Sequence, residues 1–414
     1  MVGELHPGWW ALGGAAALGL ALAARRRPAG WERAALLAPL LCWQLAFPCL
    51  LDDVSDVQLL ARFLLVGIVS ISNNFKLLAL ALDRGPLASR ALSTSAFVTV
   101  LLLPASIKPA AAATRREAAP ARTSQTARAI ASLADGSEYL ESALRVAVRF
   151  MRFSGRFLVL RYLAVGLLAF NATYRAVPAA ALATTVPAPV RFAYFGGYAT
   201  FIYLFMAAVF DAAALVLGAT MPSLAMQPPF SLPFLSTSVS NFWGRRWNLY
   251  IGGLLRALVY DPIVEGTAIK DSRAPKPRPS DMRRAAAVFA TYLASGALHE
   301  FLLGYMHVPA HGLHLLFFVA QAPVCLAEGR ILRGPRRTWW RQSVPHAVKT
   351  AYTLTVLLGL SPLFFGPLLV SRDGFDACDR RLLRGVGHVL LYLDPPLPKR
   401  WLPWSAGGPA AEVI

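Results

Sequence analysis

The chain has 414 residues, 56% of them apolar and only 15% charged, with 41 Lys plus Arg against 22 Asp plus Glu for a net charge of +19. Soluble domains carry ~25% charged residues, so a mean hydropathy of +0.49 excludes an ordinary aqueous fold and a disordered chain alike. Four scattered cysteines (Cys42, Cys49, Cys325 and Cys378) exclude a disulfide-stapled scaffold, and without a Cys-x-x-Cys pair they offer no thiol redox site. The expected class is an all-α, polytopic transmembrane bundle of about eight to ten membrane segments. In such a protein basic residues collect in cytosolic loops, so the positive charge names no nucleic-acid partner.

Apolar runs bounded by charge or proline mark the segments in order. Trp9 to Ala24 is followed by Arg25, Arg26 and Arg27, the reverse of a cleavable signal peptide, and is expected to be a retained anchor with its C-terminal end cytosolic. Ala34 to Leu51 runs out to the acidic Asp52-Asp53-Val54-Ser55-Asp56, a lumenal turn, and Val57 to Leu82 returns to Arg84 and Arg90. Within that return lie Asn73, Asn74 and Lys76. Polar groups at this depth face a bundle interior or a wet cavity, and for Lys76 snorkelling to the cytosolic headgroups is an equal alternative. Ala91 to Ala105 is short for a span and reads as a re-entrant or interfacial piece, which keeps the basic loop from Lys108 to Arg128 cytosolic. Arg156 to Thr173 and Phe192 to Ala219 follow.

From Pro222 to Arg284 nine basic residues and many aromatics mark a cytosolic or interfacial segment. Ala285 to Met306 and Gly312 to Ala327 then form a hairpin whose connecting loop lacks Lys and Arg. Ala347 to Val370 is a further span, and Leu382 to Leu393 a short one. The resulting divisions are N-terminal membrane helices at 1–105, a basic loop at 106–150, membrane helices at 151–221, the Trp- and Arg-rich segment at 222–284, the hairpin with the C-terminal helices at 285–394, and a tail at 395–414.

Two features carry chemistry. His299 lies 15 residues after Arg284, roughly 20 Å into a helix crossing a ~30 Å core. An ionisable ring at that depth is costly unless used, and a neutral imidazole there can accept a proton. Helical spacing places Tyr292, Ser295 and His299 on one face, and Ala294 to Ala297 are small enough for a close neighbour. Glu300 points elsewhere and needs its own partner. A hydrogen-bonded packing histidine is the structural alternative. The second feature is Phe242-Trp243-Gly244-Arg245-Arg246-Trp247-Asn248-Leu249-Tyr250, whose aromatics at three- and four-residue spacing suit one face of an interfacial helix. Arg245 and Arg246 can meet phosphates, either of a ligand or of lipid headgroups.

These two segments, with Asn74-Phe75-Lys76-Leu77-Leu78 and Asp83-Arg84-Gly85-Pro86-Leu87, resemble the signature of membrane-bound O-acyltransferases, most closely the plant wax synthase branch and its sterol O-acyltransferase relatives. The resemblance implies esterification of a lipophilic alcohol by a fatty acyl-CoA co-substrate, with no bound cofactor or metal, in the endoplasmic reticulum membrane. It implies His299 as base and Asn248 as its companion, either stabilising an oxyanion or orienting the thioester, with Arg245, Arg246 and Trp247 toward the acyl donor. A long-chain alcohol is the expected acceptor, with a sterol or another lipid alcohol as the alternative.

Two other classes compete. His307-Val308-Pro309-Ala310-His311-Gly312-Leu313-His314 has metal-ligand spacing, but Pro309 and Gly312 break the helix that would align the rings, and the chain holds seven histidines in all. A lumenal turn with His307 and His311 near the headgroups fits better. A transporter would use Asn73, Lys76 and Arg161 along its pathway, but no inverted repeat is visible. Direct acyl transfer is favoured over an acyl-enzyme at Ser295, because no third group and no Gly-x-Ser-x-Gly elbow accompanies that serine.

Overall fold

The computed structural model describes residues 7–50, 55–104, 107–109, short helical pieces between 154 and 167, 186–220, 224–271, 278–308, 311–370 and 381–386. Among these, α1 (Pro7–Arg26), α2 (Trp31–Ala46) and a long rod from α3 (Asp56–Leu65) through a π-helical stretch (Val66–Asn73) into α4 (Asn74–Ala81) open the fold. The nine-residue α5 (Thr94–Leu102) follows, only ~14 Å long at 1.5 Å per residue and unable to cross a bilayer, which fits the re-entrant or interfacial expectation. Among the described residues the strands are limited to a three-residue antiparallel pair, β1 (Ile107–Pro109) and β2 (Leu224–Met226).

The 33-residue α6 (Ala188–Thr220) precedes β2. Two short helices, α7 (Val239–Arg245) and α8 (Leu249–Leu255), lead through a π-helical turn (Arg256–Tyr260) to α9 (Asp261–Glu265). Then come α10 (Asp281–Tyr305), α11 (Leu313–Ile331), α12 (Pro335–Gln342) and α13 (His346–Val370). Five described helices or rods are long and apolar enough to cross a membrane, and six if α11 and α12, bent by 102°, count as one broken span. The all-α polytopic class therefore holds. Most of the expected Leu382–Leu393 segment and much of Arg156–Thr173, including Arg161, lie outside the described residues.

Helix starts follow their capping residues. The Ser55 hydroxyl accepts from Gln58 N while the Gln58 side chain accepts from Ser55 N, and the hydroxyls of Ser93, Ser238 and Ser280 cap α5, α7 and α10 by accepting from Ala96 N, Asn241 N and Arg283 N. Polar groups inside the N-terminal bundle are tied to helix ends. Lys76, 0% exposed, donates from Nζ to the carbonyls of Val100 (2.8 Å), Leu101 (2.5 Å) and Leu103 (3.0 Å), the unsatisfied C-terminus of α5. It does not snorkel. Arg33 likewise donates to Leu80 O (2.6 Å) and Arg27 O (3.1 Å), closing the ends of α4 and α1. Asn73 and Asn74 are buried, as a bundle-interior position requires.

Candidate active site

The site grows from α10. Tyr292, Ser295 and His299 share one face and line a cavity of about 1090 Å³, which also reaches the π-helical stretch at Gly67 and Ile68, α6 at Gly196, and α13 at Phe364. His299 Nδ1 lies 2.7 Å from the Ser295 carbonyl oxygen. A carbonyl only accepts, so Nδ1 carries the proton and, in the neutral ring, Nε2 keeps its lone pair. Ser295 therefore meets the ring through its backbone. The ring packs against Phe318 at 4.4 Å and edge-on to Phe364 at 5.6 Å between centroids. Gly296 makes this proximity possible: a Cβ there would sit 2.7 Å from Leu315 Cα and 3.1 Å from its carbonyl oxygen, so α10 and α11 touch backbone to side.

Glu300 faces away from this arrangement and finds its partner at the start of α11, where Oε1 accepts from His314 N (3.0 Å) and Leu315 N (3.2 Å). A carboxylate at a helix N-terminus answers both the free amides and the positive end of the dipole. The three histidines of the 307–314 cluster part company. His307 Nε2 accepts from Arg62 Nη1 at 2.7 Å, His311 is exposed, and His314 is 3% exposed and lines the same cavity as His299, with its ring 4.6 Å from Phe364. Sequence reasoning grouped His314 with the loop. The signal for its burial was its place one residue into the helix that Gly312 starts.

The Trp- and Arg-rich motif is not one continuous helix, contrary to the expectation. It breaks after α7 because Arg246 leaves helical conformation (φ −133°) and Asn248 adopts a left-handed one (φ 40°, ψ 55°) before α8. Asparagine tolerates that region, and its Oδ1 accepts from Ile251 N at 3.3 Å to cap α8. With Oδ1 committed, the amide nitrogen Nδ2 is left as the group able to donate.

Trp247 stacks on Phe242 (5.3 Å, 19°), while the Trp243 indole donates to Gln321 Oε1 at 3.2 Å and packs on Phe318 at 5.6 Å. Trp243, Trp247 and Asn248 line the cavity with His299. Tyr250 and Ser72 add a buried hydroxyl pair 2.5 Å apart on the same lining. Burial pushes the Tyr250 phenol above its usual range, against the opposing effect of the Ser72 bond, so it stays protonated.

The two arginines do not join them. Arg246 is spent on the loop, donating to Asn241 Oδ1 (2.8 Å), Ser231 O (3.0 Å) and Leu232 O (3.1 Å), while Arg245 is exposed. Neither lines the cavity. Among the described lining residues the one arginine is Arg256, which sits 4.8 Å above the Tyr260 ring, pairs with Asp261 at 3.2 Å, and also lines an adjacent polar cavity of about 360 Å³. Sequence reading passed it over because its neighbours carry no phosphate-binding pattern.

The described helices thus bring an imidazole with an accepting nitrogen and a side-chain amide onto one largely apolar cavity. The model of the membrane bound O-acyl transferase family matches residues 226–320, which bracket both the Trp247-Asn248 corner and His299. Three similar proteins of Arabidopsis thaliana make the likeness more particular. The chain is 29% identical to acyl-CoA–sterol O-acyltransferase 1 over 41% of its own length and 46% of that protein's. It is 35% identical to probable long-chain-alcohol O-fatty-acyltransferase 3 over 35% of its length and 41% of that protein's. It is 30% identical to probable long-chain-alcohol O-fatty-acyltransferase 6 over 34% and 38% of the two lengths. The matched stretches thus span less than half of each of these relatives.

Proposed function

We propose that the chain is an acyl-CoA-dependent O-acyltransferase that esterifies a long-chain fatty alcohol inside the membrane, with His299 as general base. One observation carries this reading: Nδ1 is committed to the Ser295 carbonyl, so Nε2 is the acceptor on a large apolar cavity that Asn248 shares. A bilayer-soluble hydroxyl reaching Nε2 gives up its proton as its oxygen attacks the thioester carbonyl carbon. The amide Nδ2 of Asn248 donates to the carbonyl oxygen as negative charge builds there. Collapse of the tetrahedral intermediate breaks the C–S bond, and the leaving thiolate takes the proton back from His299. The ring ends as it began.

In this reading the anionic head of the acyl donor approaches from the side of the basic residues between Pro222 and Arg284, which cytosolic charge bias supports. The name of the sterol-directed relative keeps a sterol as the second acceptor to test. The endoplasmic reticulum is the compartment this reading assigns. The decisive experiment expresses the full chain in a host without its own neutral-lipid ester synthesis and resolves the products by lipid mass spectrometry. New wax esters that vanish with His299→Ala support the reading, sterol esters alone would move it to the alternative acceptor, and ester formation that survives His299→Ala would overturn it.

A further inference from the structure

We infer that Glu328, a buried carboxylate on α11 far along the chain from either signature, is a positioning residue that locks α7, and through it the Trp247-Asn248 corner, onto the helix hairpin that carries His299. This rests on the acyltransferase reading and extends it to a residue outside the matched 226–320 stretch. Glu328 is 6% exposed, and among the described residues no cation pairs with it. Both carboxylate oxygens are used on the start of α7, Oε1 accepting from Val239 N and Oε2 from Ser240 N, each at 2.8 Å, and the Tyr352 hydroxyl of α13 also donates to the carboxylate. The two backbone donors are the first two amides of α7. A buried charge held by two backbone donors at a helix start is stabilised by charge-assisted bonds and by the helix dipole, and it fixes position and direction together.

The lock continues along one face of α11. Phe318, Gln321, Cys325 and Glu328 recur at three- and four-residue spacing, so they point the same way. Phe318 touches the His299 ring, Gln321 holds the Trp243 indole, and Cys325 Sγ lies 3.1 Å from the Tyr292 hydroxyl. Glu300 ties α10 to the start of α11, and Glu328 ties the far end of α11 to the start of α7. Two carboxylates in series therefore set the spacing between the base and the amide. Asn248 lies three residues beyond the end of α7, and its left-handed backbone leaves little freedom to compensate if α7 drifts.

The test compares Glu328→Ala and Glu328→Gln in the full-length detergent-solubilised protein, reading steady-state ester synthesis and amide hydrogen exchange by mass spectrometry. For the alanine variant kcat should fall about tenfold or more while KM for both substrates stays within about twofold, because geometry rather than binding is lost. Exchange should accelerate across 239–248 and stay unchanged in α10. The glutamine variant, which keeps one acceptor oxygen, should fall between alanine and wild type.

Wild-type kcat, or unchanged exchange across 239–248, in the alanine variant would overturn the proposal. So would faster exchange throughout the bundle in both variants, which marks a general loss of stability. If the wild-type chain makes no ester, or His299→Ala remains active, the functional reading fails, while the exchange experiment still decides whether Glu328 holds α7.

Discussion

Among the described residues, the buried charged side chains of the N-terminal bundle, α1 to α5, are cations, whereas between α7, α10 and α11 the fold holds the buried Glu328 and the half-buried Glu300. Lys76 and Arg33 sit on carbonyls at helix C-termini, and Arg62 donates to Pro48 O at 3.0 Å at the end of the turn after α2. Glu300 and Glu328 sit on amides at helix N-termini. Each sign meets the end of the helix dipole that it stabilises, in surroundings where water cannot do so. Burial of charge therefore does not distinguish the reactive half of the molecule. The difference is that the carboxylate half also holds an imidazole with one nitrogen committed and the other nitrogen's lone pair free.

That contrast predicts two kinds of variant. Changes at the site should cut turnover at constant abundance, and changes in the cation half should cut abundance at constant turnover. The largest effect is expected for His299→Ala, a loss on the order of 10⁴-fold in ester formation with normal membrane levels by immunoblot. Asn248→Asp keeps an oxygen to cap α8 but removes the N–H donor, so a fall of about 10²-fold at unchanged thermal stability is expected; activity near wild type would restrict Asn248 to capping. Gly296→Ala forces a methyl against Leu315 backbone and should cost about 1–3 kcal/mol of stability with a several-fold loss of turnover, measured together by thermal melting and product formation. Lys76→Met leaves three α5 carbonyls unanswered. Its melting midpoint should drop by the equivalent of about 1–3 kcal/mol, while turnover per folded molecule stays within about twofold. A turnover collapse at normal stability would erase the contrast and return Lys76 to the chemistry.

The sequence made the membrane class, the hairpin and His299 legible for one reason: hydropathy and helical spacing are local, and an imidazole ~20 Å from a helix start is improbable without a use. Tyr292, Ser295 and His299 share a face because 3.6-residue periodicity requires it. The break at Arg246–Asn248 was not legible, since Trp243, Trp247 and Tyr250 are compatible with an unbroken helix. Only the capping bond and the loop carbonyls held by Arg246 decide otherwise. For Lys76 the sequence left a bundle-interior position and snorkelling as equal alternatives, because the choice depends on α5, a partner about 25 residues away. Glu328 and Gln321 carry no local pattern at all, and their meaning lies in α7, about 80 residues earlier in the chain.

The aromatic walls around His299 have a consequence for product choice. A base able to strip a proton from an alcohol can strip one from water, so nothing in the imidazole itself prevents wasteful hydrolysis of the thioester. Phe318, Phe364, Trp243 and Trp247 present flat, mostly apolar faces on which a water molecule gains few hydrogen bonds. An oily alcohol wets those faces, and water does not. In the proposed reaction, discrimination between synthesis and hydrolysis therefore falls to the rings, and widening the chamber with small polar side chains should release free fatty acid even though His299 is untouched.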